Sequence, residues 1–228
     1  MTHYQTDEEL AAATEEATKR TYFVGLDLGQ SIDPTALCVL ERLEVPILHL
    51  GYRMPAPVKW TTTYRVRHLE RLPLGISYPL IVARVGMTCK TAPLFKNHRL
   101  IIDQTGVGRP VFDLFKQAKL NPVGITITAG NDWSRETSDN FRVSKGLLVS
   151  RLDAALHSGI LQVSSALPEA QALKSELADF LVSHTANGYA QFGARSGRHD
   201  DLVLSVGIAL WYAATVGNQQ MQMARTRL

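Results

Sequence analysis

Three acidic positions at the edges of apolar segments constrain this chain more than any other feature of its sequence. Asp27 and Asp103 each end a short apolar segment, and the pair Asp200 and Asp201 opens a long one. A carboxylate next to a buried segment is costly to hold there unless a cation shares its site. Since the three positions lie far apart along the chain, they predict a divalent metal site that is assembled by folding.

The alternation of apolar and polar residues predicts an α/β protein. Strands are expected at about 22–28, 35–43, 46–52, 99–103, 122–128 and 183–192. Helices are expected at about 61–88, 109–119, 143–158, 168–182 and 200–215, with a polar loop at 129–140. The first three strands form an antiparallel meander, and later strands alternate with helices. This order predicts a central mixed sheet of five or more strands that is flanked by helices.

Length and composition indicate one large globular domain. The chain has 228 residues, of which 45% are hydrophobic and 20% are charged. Residues 1–20 are rich in helix formers and are expected to be an N-terminal helical extension, with the domain itself at 21–228. Cys38 and Cys89 lack the spacing of zinc ligands and are expected to be free thiols. No segment resembles a signal peptide or a membrane span, so a cytoplasmic location is expected.

The contexts of the acidic residues indicate how they meet. Ligands of open α/β sheets bind at the carboxyl ends of strands, so Asp27 and Asp103 on adjacent strands can share one cation. Oxygen ligands suit Mg²⁺ and Mn²⁺, and two such ions about 4 Å apart can hydrolyse a phosphodiester. Simpler interpretations stay open, because Asp200 or Asp201 can cap a helix and Asp103 can serve as a turn residue.

Three further polar residues lie near these positions in the sequence. His199 precedes the acidic pair and can be a ligand, a proton carrier or a surface residue; a supporting role is favoured. Lys145 can contact a nucleic-acid phosphate, or it can be the solvated start of a helix. Asp33 is expected to stabilise a turn. The formal net charge of +3 is compatible with a polyanionic partner but does not require one.

Three motifs contain the acidic positions and span nearly the whole chain after residue 20. They are Gly25-Leu-Asp-Leu-Gly-Gln-Ser-Ile-Asp-Pro-Thr-Ala, Ile101-Ile-Asp-Gln-Thr-Gly-Val-Gly and His199-Asp-Asp-Leu-Val-Leu-Ser. In this order they resemble the nuclease domain of the large subunit of tailed-phage terminases, which has a ribonuclease H-like fold. The resemblance implies a metal-dependent endonuclease that cuts concatemeric viral DNA when a genome is packaged.

The resemblance also implies roles for individual residues and partners. Asp27, Asp103 and one or both of Asp200 and Asp201 would bind two Mg²⁺ or Mn²⁺ ions, and Asp201 is favoured over Asp200 as the direct ligand. Asp27, Asp103 and Asp201 would be the catalytic residues. The expected partners are double-stranded DNA and, beyond it, a separate ATPase motor, a small terminase subunit or a portal. The protein would act in the host cytoplasm.

Two departures from the family pattern leave alternatives open. The chain has no GxxxxGK[ST] phosphate-binding motif of the kind that the ATPase motor of complete terminases carries. Some family members have another acid three residues after the Asp pair, where this chain has Leu204, and this difference puts the second metal ion in doubt. A Holliday-junction-resolvase-like nuclease, an actin-like or sugar-kinase-like ATPase, and a non-catalytic packaging module are the alternatives.

Overall fold

Two sheets and six helices make up the described part of the computed structural model. The structure describes residues 6–29, 33–48, 59–106, 108–184, 190–194 and 199–225. The helices are α1 (Asp7–Ala17), α2 (Tyr78–Lys90), α3 (Gly108–Gln117), α4 (Lys145–His157), α5 (Ala170–Asp179) and α6 (Asp201–Arg225). The strands are β1 (Lys19–Asp27), β2 (Ala36–Ile47), β3 (Lys59–Arg71), β4 (His98–Asp103), β5 (Val123–Thr128), β6 (Trp133–Arg135), β7 (Asn140–Ser144), β8 (Leu161–Val163), β9 (Phe180–His184) and β10 (Ala190–Ala194).

The main sheet is mixed and has eight strands in the order β6-β7-β5-β4-β1-β2-β3-β8. Strands β1, β2 and β3 form the antiparallel meander, while β1, β4, β5 and β7 run parallel to one another. One hydrophobic core lies between the sheet and helices α4, α5 and α6, and a second lies between the sheet and helices α2 and α3. The prediction of a mixed sheet of five or more strands, flanked by helices, is therefore confirmed.

The prediction of a helical segment at 61–88, kinked or divided at Pro73, Gly75 and Pro79, is wrong in its first half. Residues Lys59–Arg71 form β3, and a helix is present only at Tyr78–Lys90. Buried apolar side chains of β3, such as Tyr64 and Val66, alternate with more exposed residues such as Arg65 and Arg67, and its threonines favour the extended backbone. The expected strand at 46–52 is also wrong as a separate element, since β2 continues to Ile47; residues 49–52 lie outside the described residues.

Smaller elements differ from the expectation as well. The expected loop at 129–140 contains β6, and β7 begins at its last residue. The short strand β8 has no counterpart in the prediction. Helix α5 ends at Asp179, so residues 180–182 belong to β9 rather than to a helix. Strands β9 and β10 pair in a second, two-stranded sheet, and residues 185–189 of the expected strand lie outside the described residues.

Helix α6 lies against the centre of the main sheet because β1 has a glycine there. A β-carbon at Gly25 would lie 2.0 Å from the carbonyl oxygen of Ser205 and 3.0 Å from the β-carbon of Ala209. Any other residue would push the helix away from the strand. Since Asp27 is two residues beyond Gly25 and Asp201 is one helical turn before Ser205, this contact brings the two acids to the same edge of the sheet.

Two expectations about the chain as a whole can be compared with this fold. Cys38 and Cys89 are both buried and form no disulfide, as predicted. Among the described residues, no helix combines the length and the apolar character that a membrane span requires. Helix α1 is present in the predicted N-terminal extension, and β1 begins at Lys19.

Candidate metal centre

Asp27 and Asp103 are the last residues of two adjacent parallel strands. The register of β1 and β4 pairs Asp27 with Asp103, just as it pairs Gly25 with Ile101. Because side chains alternate along a strand, both carboxylates project toward the face of the sheet that α6 covers. Asp27 is half-buried, and Asp103 is 7% exposed. The two acids that the sequence places at strand ends are therefore neighbours in the fold.

The surroundings of this pair disfavour its negative charge. Burial raises the pKa of the Asp27 carboxyl well above its usual value, and the charges of Asp103, Asp200 and Asp201 raise it further. Burial also raises the pKa of Asp103, although a 2.8 Å hydrogen bond from the Thr105 backbone N–H and a side-chain hydrogen bond with Asp27 oppose this shift. The charges of four carboxylates thus act on the same small region, and their negative potential favours binding of a proton or a cation there.

Asp200 is paired with a cation from another element. The Lys145 ammonium nitrogen lies 2.5 Å from Oδ2 of Asp200. Lys145 is the first residue of α4, directly after Ser144, whose side chain caps that helix. The positive charge of Lys145 also lowers the pKa values of Asp27 and Asp103. Lys145, which the sequence predicts as a nucleic-acid contact, therefore faces the acidic cluster in this structure.

Asp201 is held by a different cation. Arg71, the last residue of β3, donates from Nε to Oδ2 of Asp201 at 2.8 Å and from Nη2 to Oδ1 at 3.3 Å. The same Nη2 contacts Glu176 of α5, and Glu176 in turn accepts a 3.0 Å hydrogen bond from the backbone N–H of Val203. Asp201 is 3% exposed and Glu176 is 6% exposed. These contacts bind the start of α6 to β3 and α5.

Burial of Glu176 outweighs the effect of its hydrogen-bonding partners. Its pKa is raised to about 7, chiefly by burial and also by the charges of Asp201 and Asp200. The backbone N–H of Val203 and the Arg71 guanidinium oppose this rise. Glu176 is therefore a fifth acidic group beside the site, and it titrates near neutral pH.

His199 lies at the exposed edge of this region. Its Nδ1 is 3.1 Å from Oδ1 of Asp33, and both side chains are largely exposed. The structure thus pairs His199 with the residue that the sequence predicts to stabilise a turn. Its predicted supporting role rests on its place in the chain directly before Asp200.

The donor set suits a hard divalent cation at Asp27 and Asp103. Adjacent carboxylates with raised pKa values supply the oxygen ligands that Mg²⁺ and Mn²⁺ prefer, and a bound cation would relieve their repulsion. Within the described ranges, no three His, Cys, Asp or Glu side chains converge as a formed metal-binding group. In this structure Lys145 forms an ion pair with Asp200, and Arg71 forms one with Asp201.

Sequence reasoning missed Arg71 and Glu176. Arg71 is 130 positions from Asp201 in the chain. Because 61–88 was predicted to be helical, Arg71 was not recognised as the last residue of a strand. Glu176 is on a helix that reads as an ordinary surface helix. The sequence contained two indirect signals. Two adjacent acids at the start of a wholly apolar helix require a cation. Arg71 ends a segment of β-branched residues and Tyr64, a composition that is typical of a strand.

This architecture defines a class of fold. An eight-stranded mixed sheet with an antiparallel meander, helices on both faces and acids at the carboxyl ends of its central strands is an α/β, ribonuclease H-like fold. The sequence resemblance implied this class, and the fold confirms it.

Solved structures of known proteins are similar to this chain. The large terminase nuclease from thermophilic phage G20c matches with 21% identity and a TM-score of 0.56, over 86% of this chain and 82% of that one. The same nuclease with bound magnesium matches equally well, over 85% and 82%. The large terminase nuclease domain of Thermus phage P74-26 matches with 19% identity and a TM-score of 0.55, over 85% and 79%.

These likenesses show that the chain has the fold of phage large terminase nuclease domains. They extend over nearly the whole chain, as the three sequence motifs do. No family model matches the sequence, and no curated protein matches it. The likeness that these comparisons establish is therefore one of fold.

Proposed function

We propose that this protein is a metal-dependent endonuclease of the terminase large-subunit type, which hydrolyses phosphodiester bonds of phage DNA during packaging. The observation that carries the proposal is the pairing of Asp27 with Asp103 at the carboxyl ends of two central parallel strands. Burial raises the pKa values of both groups, and the charge of Asp103 raises that of Asp27 further, as expected of carboxylates that receive a cation. The fold that this chain shares with phage large terminase nucleases supports the same function.

Asp27 and Asp103 would hold the cation, and Asp200 would be the third ligand. The sequence favoured Asp201 for that place, but both oxygens of Asp201 accept hydrogen bonds from Arg71. Asp200 is more exposed, at 21%, and its partner Lys145 has a flexible side chain that can move away. We therefore assign Asp201 to the anchoring of α6 and retain it as the second candidate ligand.

Bound Mg²⁺ or Mn²⁺, as two ions when both sites fill, would supply activation of water and neutralisation of the charge that develops on phosphate. The residues of this chain have simpler tasks. The carboxylates of Asp27, Asp103 and Asp200 bind and orient, and they need not move protons. Arg71 keeps the start of α6 in register with β3 through Asp201. Lys145, at the start of α4, is suited to contact a phosphate of the nucleic acid.

The substrate and partners follow from the same proposal. Two similar structures of the phage G20c nuclease carry bound magnesium and bound cobalt, which supports a divalent cofactor here. The proposed substrate is double-stranded DNA. An ATPase motor, a small terminase subunit and a portal are the proposed packaging partners, and the proposed place of action is the host cytoplasm.

Cleavage of supercoiled plasmid in the presence of Mn²⁺ or Mg²⁺ tests the proposal. The wild-type protein should nick or linearise the plasmid, and EDTA should stop the reaction. Asp103→Asn should reduce cleavage by at least about a hundredfold, because a metal ion contributes several kcal/mol to the transition state. Asp153→Asn, which changes an exposed carboxylate on α4, is the matched control and should cut normally.

The alternatives give different results in the same assay. Undiminished cleavage by a folded Asp103→Asn protein would refute the assigned site. ATP turnover without cleavage would favour an actin-like or sugar-kinase-like ATPase. Neither cleavage nor turnover would favour a non-catalytic packaging module, and a strong preference for four-way junctions would favour a resolvase.

A further inference from the structure

Lys145 is the cation that faces the cluster of Asp27, Asp103 and Asp200. Its ammonium nitrogen is 2.5 Å from Oδ2 of Asp200, and its positive charge interacts with the carboxylates of Asp27 and Asp103. A compact positive charge thus lies beside three oxygen-bearing groups that suit a divalent ion.

Among the described residues, Arg71 is a second cation beside the site, and its contacts are structural. Arg71 forms ion pairs with Asp201, Glu176 and, at 3.9 Å, Glu169. A planar guanidinium bound to several carboxylates is held in one place, whereas an ammonium on a four-carbon chain is readily moved. The flexible side chain of Lys145 is therefore better suited than that of Arg71 to release its carboxylate.

The backbone around Lys145 is fixed, so only its side chain has to move. Ser144 is fully buried, and its Oγ accepts a 3.2 Å hydrogen bond from the N–H of Leu147. This cap holds the first turn of α4 in place. The positive end of the helix dipole adds to the charge of Lys145, and together they favour an anionic group at that point.

Resting on the proposed function, we propose that Lys145 is the internal counter-ion of the metal-free site, is displaced from Asp200 when a divalent cation binds, and then contacts a DNA phosphate. In this view one side chain makes the site stable without metal and couples metal loading to DNA binding. The displacement is an exchange of ionic contacts and involves no covalent step.

Competition between Lys145 and the metal ion predicts the result of a binding experiment without DNA. Titration calorimetry with Mn²⁺ should show that Lys145→Met binds the ion at least about fivefold more tightly than wild type, because Asp200 no longer has to break an ion pair. Lys145→Arg, which keeps the charge, should not bind the ion more tightly than wild type.

A matched variant separates displacement from a general change in charge. Arg142 lies three residues before Lys145, is largely exposed and pairs with Glu136 at 3.5 Å. Arg142→Gln removes one positive charge three positions from Lys145 in the chain and should change Mn²⁺ affinity by less than about twofold, since exposed charges are screened.

The second readout is DNA binding with Ca²⁺ as the probe ion and a nuclease-resistant phosphorothioate duplex. Lys145→Met should bind this duplex about threefold or more weakly than wild type, in line with the loss of one phosphate contact. Opposite changes in metal affinity and in DNA affinity are the signature of the exchange.

Three outcomes would overturn the inference. Mn²⁺ binding by wild type with equal or weaker binding by Lys145→Met refutes the counter-ion role and leaves the nuclease proposal intact. Unchanged Ca²⁺-dependent DNA binding by Lys145→Met refutes the transfer to phosphate. Absence of Mn²⁺ binding by wild type refutes both this inference and the proposed function.

Discussion

Asp27 and Asp103 lie directly opposite each other at the carboxyl ends of two adjacent parallel strands. The chain separates them by 76 positions, and the register of β1 with β4 brings them together. Both face helix α6, which can approach because Gly25 has no side chain. Two like charges in a partly buried place cost folding free energy, so this relationship has consequences for stability as well as for function.

The first prediction concerns the pH dependence of stability without metal. Because the folded-state pKa values of Asp27 and Asp103 are raised, the folded protein binds more protons than the unfolded chain. The free energy of unfolding should therefore decrease as pH rises above about 4, the pKa of these carboxyls in the unfolded chain. It should continue to decrease until pH exceeds their pKa values in the folded protein. Thermal unfolding in EDTA from pH 4 to pH 9 measures this slope.

Added Mg²⁺ and the variant Asp103→Asn should both make this slope shallower. The ion binds the charged carboxylates of the folded state, and the variant removes one of the two repelling charges. A metal-free protein whose melting temperature rises across this range in step with ionisation of the pair would contradict the assigned electrostatics.

The second prediction concerns the anchor of α6. Arg71→Ala should lower the free energy of unfolding by about 3–5 kcal/mol, because Asp201 and Glu176 would be left buried without their cation. Arg65→Ala, on the same strand, loses only an exposed hydrogen bond to Gln162 and should cost less than about 1 kcal/mol. Urea denaturation measures both, and equal losses would show that the Arg71 cluster is not a structural anchor.

The third prediction isolates Glu176. Its pKa of about 7 is higher than that of an unfolded glutamate, so its ionisation makes the folded state less stable as pH rises from about 4 through 7. Glu176→Gln removes this contribution. The stability of the variant relative to wild type should therefore increase between pH 5 and pH 9, as followed by urea denaturation at several pH values. A constant difference across that range would mean that Glu176 does not titrate there.

The fourth prediction compares two buried glycines. Gly25→Ala should destabilise the protein by about 3 kcal/mol or more, since its β-carbon would lie 2.0 Å from the Ser205 carbonyl oxygen and would push α6 from the sheet. Gly86→Ala, inside α2, has its nearest neighbour at 3.8 Å and should stabilise by about 0.5–1 kcal/mol. Chemical denaturation of the two variants tests the helix–sheet contact, and similar effects would contradict it.

The paired acids were predictable because the signals are local. An apolar strand that ends on an acid, as at Asp103, fixes both the strand and the end at which its carboxylate lies. The expected order, an antiparallel meander followed by alternating strands and helices, predicted a mixed sheet with helices on both faces, although the third strand of the meander is at Lys59–Arg71 and not at 46–52. That the two acids would be neighbours required only that their strands be adjacent.

The partners of the third acidic position were not predictable in the same way. Whether Asp200 and Asp201 face the metal, Lys145 or Arg71 depends on contacts between residues 55 and 130 positions apart in the chain. The apolar residues of 61–71 fit a helix about as well as a strand when read alone. The pairing of this segment with β2 makes it a strand and places Arg71 opposite Ala36 at the end of that strand.

Anomalous diffraction from crystals soaked in Mn²⁺ at pH 8 tests the central claim most directly. The account predicts a manganese peak within about 2.0–2.6 Å of carboxylate oxygens of both Asp27 and Asp103, with the Lys145 ammonium moved away from Asp200. No manganese at these carboxylates, with Lys145 still paired to Asp200, would contradict it.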